Sequence, residues 1–122
     1  MDYKLEVIVL PVSDVDRASA FYQRLGWRLD ADVTTDPKFR VVQLTPPGSG
    51  CSIVLGNGIT EAAPGSVQGV QLCVNDIDAA RAELIGRGVE VTEIEEHPWG
   101  RFVYFADPDG NKWSVQEITS RP

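Results

Sequence analysis

An α+β fold made of two tandem βαβββ modules is predicted by three features of this 122-residue sequence. The first is an internal repeat. Residues 10–18 (Leu-Pro-Val-Ser-Asp-Val-Asp-Arg-Ala) overlie residues 72–80 (Leu-Cys-Val-Asn-Asp-Ile-Asp-Ala-Ala) at an offset of 62, which also pairs Ala20 with Ala82 and Gly26 with Gly88. Residues 40–55 overlie 101–116 at an offset of 61, bringing Pro47 onto Pro108 and Val54 onto Val115. The second feature is the change of hydrophobic period within each copy, from an apolar strand to helical spacing and back to strands. The third is the turn chemistry that punctuates those changes.

The first module is expected over 1–58 and the second over 65–122, parts of one domain joined by a Gly-, Pro- and Ala-rich seam. Strands are predicted at 5–12 and 67–74. Asp14 and Asp76 then stand at helix starts, where a carboxylate can accept from the free first-turn N–H groups. Val15, Ala18, Phe21 and Leu25 recur at helical spacing in the first copy, and Ile77, Ala80 and Leu84 in the second. Gly26 and Gly88 sit where a helix needs a left-handed terminating residue. Further strands are predicted at 27–33, 39–45 and 51–55, and again at 89–94, 101–106 and 112–118. Asp107-Pro108-Asp109-Gly110-Asn111 has the make-up of a tight turn between the last two. Each module would form a curved sheet with its helix on one face.

Composition narrows the partners. Hydrophobic residues make up 43% and charged residues 24%, an ordinary globular balance. Eighteen acidic against eleven basic residues give a net charge of −7, which opposes nucleic acid and anionic membrane surfaces. No apolar run reaches the ~20 residues of a membrane span. The Met1-Asp2-Tyr3-Lys4 start lacks the basic stretch and apolar block of a secretory signal. A cytoplasmic location is therefore expected, with Cys51 and Cys73 as free thiols. Neither cysteine has a basic neighbour in sequence that would lower its pKa, so a nucleophilic role is unsupported.

The opening Val-Ser-Asp-Val-Asp-Arg-Ala-Ser-Ala-Phe-Tyr-Gln-Arg-Leu-Gly-Trp and the late Phe-Ala-Asp-Pro-Asp-Gly-Asn-Lys-Trp, set in a duplicated βαβββ unit, resemble the vicinal oxygen chelate superfamily. Its members include glyoxalase I, extradiol dioxygenases and the bleomycin-resistance binding proteins. The resemblance spans essentially the whole chain, and it specifies fold more sharply than activity. It implies two curved mixed sheets around a cleft and, in most members, a divalent metal held by four inward His, Glu or Gln residues. Registered on the helix caps and the turn, those four positions fall on Val7, Gly69, Ser114 and Ile53. Val, Gly and Ile offer no side-chain lone pair, and a neutral Ser hydroxyl is a poor ligand for a hard dication. No metal and no cofactor are expected. Slipping the register by one would offer Glu6 and Gln68 but would turn them to the opposite sheet face.

Period-two alternation places Val7, Val9, Gly69 and Gln71 on the same face as those positions, together with Ile53, Leu55, Ser114 and Gln116. Val42, Leu44, Val103 and Phe105 form a uniformly apolar face suited to helix packing. Val41, Gln43, Phe102 and Tyr104 then look into the cleft. Candidate ligand-binding residues are Val9, Gln43, Gln71, Trp99, Phe102, Tyr104, Ser114 and Gln116. Each has a plainer reading as core, edge or interface. Trp27 and Trp113 are expected to be core or interface bulk, and Trp99 is either a lid or a surface anchor. His97 is expected in a solvated loop beside a charge cluster of Glu93, Glu95 and Glu96. A single histidine cannot build a His-based metal site. Glu117 falls on the outward parity of the last strand and would be a general base only if a bulge turned it inward.

Two functions follow. One is a metal-free binding protein that holds an apolar or aromatic small molecule in the cleft. The other is a lyase, isomerase or dioxygenase with an atypical metal site, or metal-free acid–base chemistry through Tyr104, Glu117 or His97. A homodimer is expected, since relatives commonly pair and the sheet edges need covering.

Overall fold

The computed structural model describes residues 1–118. Its elements run β1 (Val7–Val9), α1 (Val15–Arg24), β2 (Arg28–Asp36), β3 (Phe39–Thr45), β4 (Ser52–Asn57), β5 (Val70–Val74), α2 (Ile77–Gly86), β6 (Glu95–His97), β7 (Gly100–Ala106) and β8 (Lys112–Glu117). They assemble into two four-stranded mixed sheets, β1-β4-β3-β2 and β5-β8-β7-β6. In both, the first strand pairs in parallel with the fourth and the other pairs are antiparallel. This is the expected βαβββ unit, twice.

Local chemistry sets the boundaries. Asp14 and Asp76 are extended N-cap residues whose carboxylates accept from the N–H of Arg17 (3.0 Å) and Ala79 (3.1 Å). Gly26 and Gly88 follow the helices at φ +90° and +80°. The 107–111 turn closes around the buried Asp107, whose Oδ1 accepts from the N–H of Asp109 and Asn111.

The helix-covered faces of both sheets share one core. Phe21 and Tyr22 of α1 meet Phe105 and Trp113 of the second sheet, with centroids 6.3 Å and 6.0 Å apart, and Trp27 lies across Trp113 at 5.2 Å. Polar stitches reinforce the junction. Asn111 Nδ2 donates to the Pro11 carbonyl at 2.9 Å, and Asn111 Oδ1 accepts from Val67 N–H at 3.1 Å. Gly65, at φ +80°, passes so close to the 107–111 turn that a Cβ there would stand 2.0 Å from the Asp109 carbonyl oxygen.

Two strand readings require correction. Residues 89–94 do not form a strand; β6 begins at Glu95. Of that stretch, Thr92 alone bonds β7, through its N–H to the Tyr104 carbonyl and its Oγ1 from Tyr104 N–H. A V-x-V-x-x-I pattern therefore buried side chains without completing a ladder. The second correction concerns register. Leu44 opposes Ile53 and Val42 opposes Leu55, so Ile53 and Leu55 share the helix-packed face and are buried there. In the second sheet Val103 opposes Val115 and Phe105 opposes Trp113. The loop before β8 is one residue shorter than the loop before β4, so the repeat offset there is 60. Val54, not Ile53, is the counterpart of Ser114.

Candidate functional site

Each sheet has one face turned away from the shared core. On the first sheet, cross-strand register puts Val7, Val9, Val33, Val41, Gln43 and Val54 on that open face. Val7, Val9 and Val33 are 36%, 39% and 52% exposed. On the second sheet the open face carries Gln71, Phe102, Tyr104, Ser114 and Gln116, with Gln71 beside Ser114, Phe102 beside Gln116 and Tyr104 beside Ser114.

A cleft of about 730 Å³ lies against the second sheet. Its lining comes from residues 68–114 alone. Of the eight candidates, Tyr104 and Ser114 line it directly, with Gly69, Val91 and Trp113 supplying apolar wall. Gln71, Phe102 and Gln116 share the sheet face of Tyr104 and Ser114 but do not line the cleft, which also takes Phe105 and Trp113 from the other side of the sheet. Val9 and Gln43 lie on the other sheet and are not brought to this cleft. Gln68, Glu90, Thr92 and Lys112 complete the polar lining and went unforeseen. Lys112 was within reach of the alternation that found Ser114 and Gln116. Glu90 and Thr92 were hidden by reading 89–94 as a strand.

The glutamines spend their hydrogen bonds on the protein. Ser114 Oγ donates to Gln71 Oε1 at 3.3 Å, Gln71 Nε2 donates to Gln116 Oε1, and Gln116 Nε2 donates to the Trp99 carbonyl at 3.0 Å. This chain runs from the cleft wall to the β6–β7 turn. Gly100 makes the last link possible: at φ +153°, a Cβ there would lie 2.8 Å from Gln116 Nε2.

That turn carries a row of rings. His97 stacks on Trp99 at 4.9 Å and 4°, meets Phe102 edge-on at 5.5 Å, and Phe102 runs parallel to Tyr104 at 6.2 Å. His97 is thus a half-buried member of β6 with its Nε2 3.4 Å from Glu95, not a solvated loop residue. Trp99 is 61% exposed at the end of the row. Trp27 and Trp113 are core, as expected. Glu93, Glu95 and Glu96 are exposed, and Glu93 and Glu96 pair with Arg81 and Arg101. Glu117 faces the helix side, where Oε2 accepts from Ile77 N–H at 2.8 Å and so caps α2. It is not turned toward the cleft.

The corrected register leaves the four positions of the metal-binding pattern as Val7, Gly69, Val54 and Ser114. None offers the carboxylate or imidazole a divalent ion needs, so the residues present do not fit that metal. Among the described residues, no group of three or more His, Cys, Asp or Glu side chains could hold an ion. Ser114 Oγ donates to an amide rather than to a base, so it is not set up as a nucleophile.

Fold and site together define a duplicated βαβββ protein with a cleft against its second sheet, walled by Tyr104 and Trp113. The chain belongs to the Glyoxalase/Bleomycin resistance protein/Dioxygenase superfamily, whose family profile matches residues 4–115. Among solved structures it is similar to TnmS3, an antibiotic binding protein from Streptomyces sp. CB03234, with 35% identity over 97% of this chain and 98% of that one and a TM-score of 0.86. A glyoxalase/bleomycin resistance protein from the same Streptomyces is 37% identical, covering 93% of this chain and 99% of that one at a TM-score of 0.79. A superfamily member from Sphaerobacter thermophilus DSM 20745 is 35% identical, covering 94% and 97%, at a TM-score of 0.81. No curated protein matches the chain. No helix among the described residues is long and apolar enough to cross a membrane.

Proposed function

We propose that this protein binds and sequesters a planar, apolar or aromatic small molecule, of the antibiotic kind, without a metal and without chemical change. The observation that carries this reading is the substitution of the metal-binding pattern by Val7, Gly69, Val54 and Ser114 beside a cleft walled by Tyr104 and Trp113. The likeness to an antibiotic binding protein over nearly the full length of both chains supports the ligand class. The volume suits a drug-sized molecule. Tyr104 and Ser114 contact it, Thr92 and Lys112 orient its polar edge, and Trp99 stacks on a ring at the rim. Gln71 and Gln116 act indirectly, by holding the Trp99 turn in place. Val9 and Gln43 join the site from a second copy of the chain, so the working unit is a homodimer acting in the cytoplasm.

The test titrates purified protein with a panel of planar polycyclic antibiotics, following tryptophan fluorescence and the mass of the recovered compound. Saturable binding of an unchanged compound, indifferent to chelator, is expected. Conversion of the compound, or one retained equivalent of Ni, Zn, Fe or Mn whose removal abolishes binding, would overturn the reading.

A further inference from the structure

The two helices of the repeat fill their sheets unequally. At the offset of 62, Phe21, Tyr22 and Leu25 of the first module correspond to Glu83, Leu84 and Arg87 of the second. The α1 helix buries Val15, Ala18, Ser19, Phe21 and Tyr22, whereas α2 buries Ile77 alone. Where two aromatic rings underlie α1, a single Leu and an ion pair stand under α2. The result is a second cavity of about 230 Å³ between α2 and the second sheet, which shares Phe105 with the ligand cleft and no other lining residue.

Its floor is the helix-facing side of β5 and β8, through Leu72, Val74 and Val115. Leu25, Trp27 and the Pro46-Pro47 turn of the first module close its far end. Glu83 and Arg87 line the cavity while still reaching solvent, which puts them at its mouth. Arg87 Nε bonds Glu83 Oε1 at 3.1 Å, and Arg87 Nη1 bonds the Arg24 carbonyl at 3.1 Å. The two charges are matched to each other, so the cavity offers an ionic guest no counter-charge.

We propose that this cavity is a second binding site, for one neutral apolar molecule of roughly benzene to naphthalene size. An apolar cavity of ~150 Å³ stays dry and takes up benzene. The space under α2 is larger, mostly apolar apart from the Glu83–Arg87 pair at its mouth, and already open at one end. A guest there restores to α2 the packing that Phe21 and Tyr22 give α1. Among their lining residues the two cavities share Phe105 alone, so a guest under α2 is distinguishable from one in the cleft by the methyls it shifts.

The test follows methyl resonances of the full-length protein during titration with benzene. Saturable shifts of Leu72, Val74, Leu84 and Val115 methyls are expected, together with a rise in Tm. Leu84→Phe, which copies the aromatic residue of α1, should raise Tm by itself and abolish the benzene response. Ala80→Leu fills the same space from the neighbouring turn and serves if the first variant misfolds. Loss of the response in the filled variants, with antibiotic binding retained, separates this site from the cleft. Shifts that do not saturate, that centre on Val91 of the cleft, or that persist in both filled variants would overturn the proposal.

Discussion

Tyr22 is fully buried, yet its phenol is not wasted on an apolar setting. The hydroxyl donates to Asp107 Oδ2 at 2.8 Å and accepts from Trp113 Nε1 at 2.9 Å, so one atom ties α1 to the turn and to the last strand. Burial pushes the phenol far above its usual pKa, and the Asp107 charge beside it adds to the rise. It stays protonated, as the bond to a carboxylate requires. Tyr22→Phe keeps the ring packing but leaves the Trp113 N–H without an acceptor and removes one donor from Asp107. A loss of about 2 kcal/mol is expected in urea denaturation, with the m-value unchanged. Helical spacing selected Phe21 and Leu25 but passed over Tyr22, because its importance comes from a partner 85 residues away. Gln71 and Gln116 show the converse. Their parity was legible in the alternation, but their amides bond each other, which depends on side-chain geometry that period alone does not carry.

Among the elements, β3 spans 39–45 as its alternation predicts, because β2 and β4 hydrogen-bond both of its edges and one of its faces packs against α1. The β4 register departs from the offset of 61 because a one-residue difference in loop length inverts every side chain beyond it. The β2–β3 pair carries a feature whose consequence can be measured. Arg40 bonds both oxygens of Asp32, at 3.0 and 2.8 Å, and also pairs with Asp16 at 2.9 Å. The Arg40 hydrogen bonds hold the Asp32 carboxyl below its usual value, and bonds from Thr45 and then Arg28 do the same for Asp30. A carboxylate with a depressed folded-state pKa contributes stability in full above its unfolded pKa of ~3.9 and loses it as pH falls through the lower folded value. These groups face water, so the contribution is small. Asp32→Asn is expected to lower the urea midpoint slightly at neutral pH. Its stability should also fall less than the wild type's between about pH 6 and about pH 2. Equal slopes for the two proteins would show that the pair adds nothing.

For the whole molecule, the question is what covers the open face of the first sheet. Val7, Val9 and Val33 form an apolar surface there, on a sheet whose other side is already packed against α1. The cleft against the second sheet, for its part, draws its lining from one module only. The proposed homodimer would meet both needs, with the first sheet of one copy covering the cleft of its partner. The net charge of −7 on each copy opposes association, but charges separated by more than ~8 Å are screened at physiological ionic strength, while apolar burial at contact is not. Lysine at these positions reverses that balance, because symmetry places each new charge twice in the interface. Wild-type protein is expected to sediment as a dimer. Val9→Lys with Val33→Lys should sediment as a monomer with an unchanged circular dichroism spectrum, since both side chains point away from the core. The same variant should bind the antibiotic probe far more weakly, the cleft having lost its second wall. A monomeric wild type that binds normally would show that the second module forms the site alone. A variant that stays dimeric would place the interface on another face.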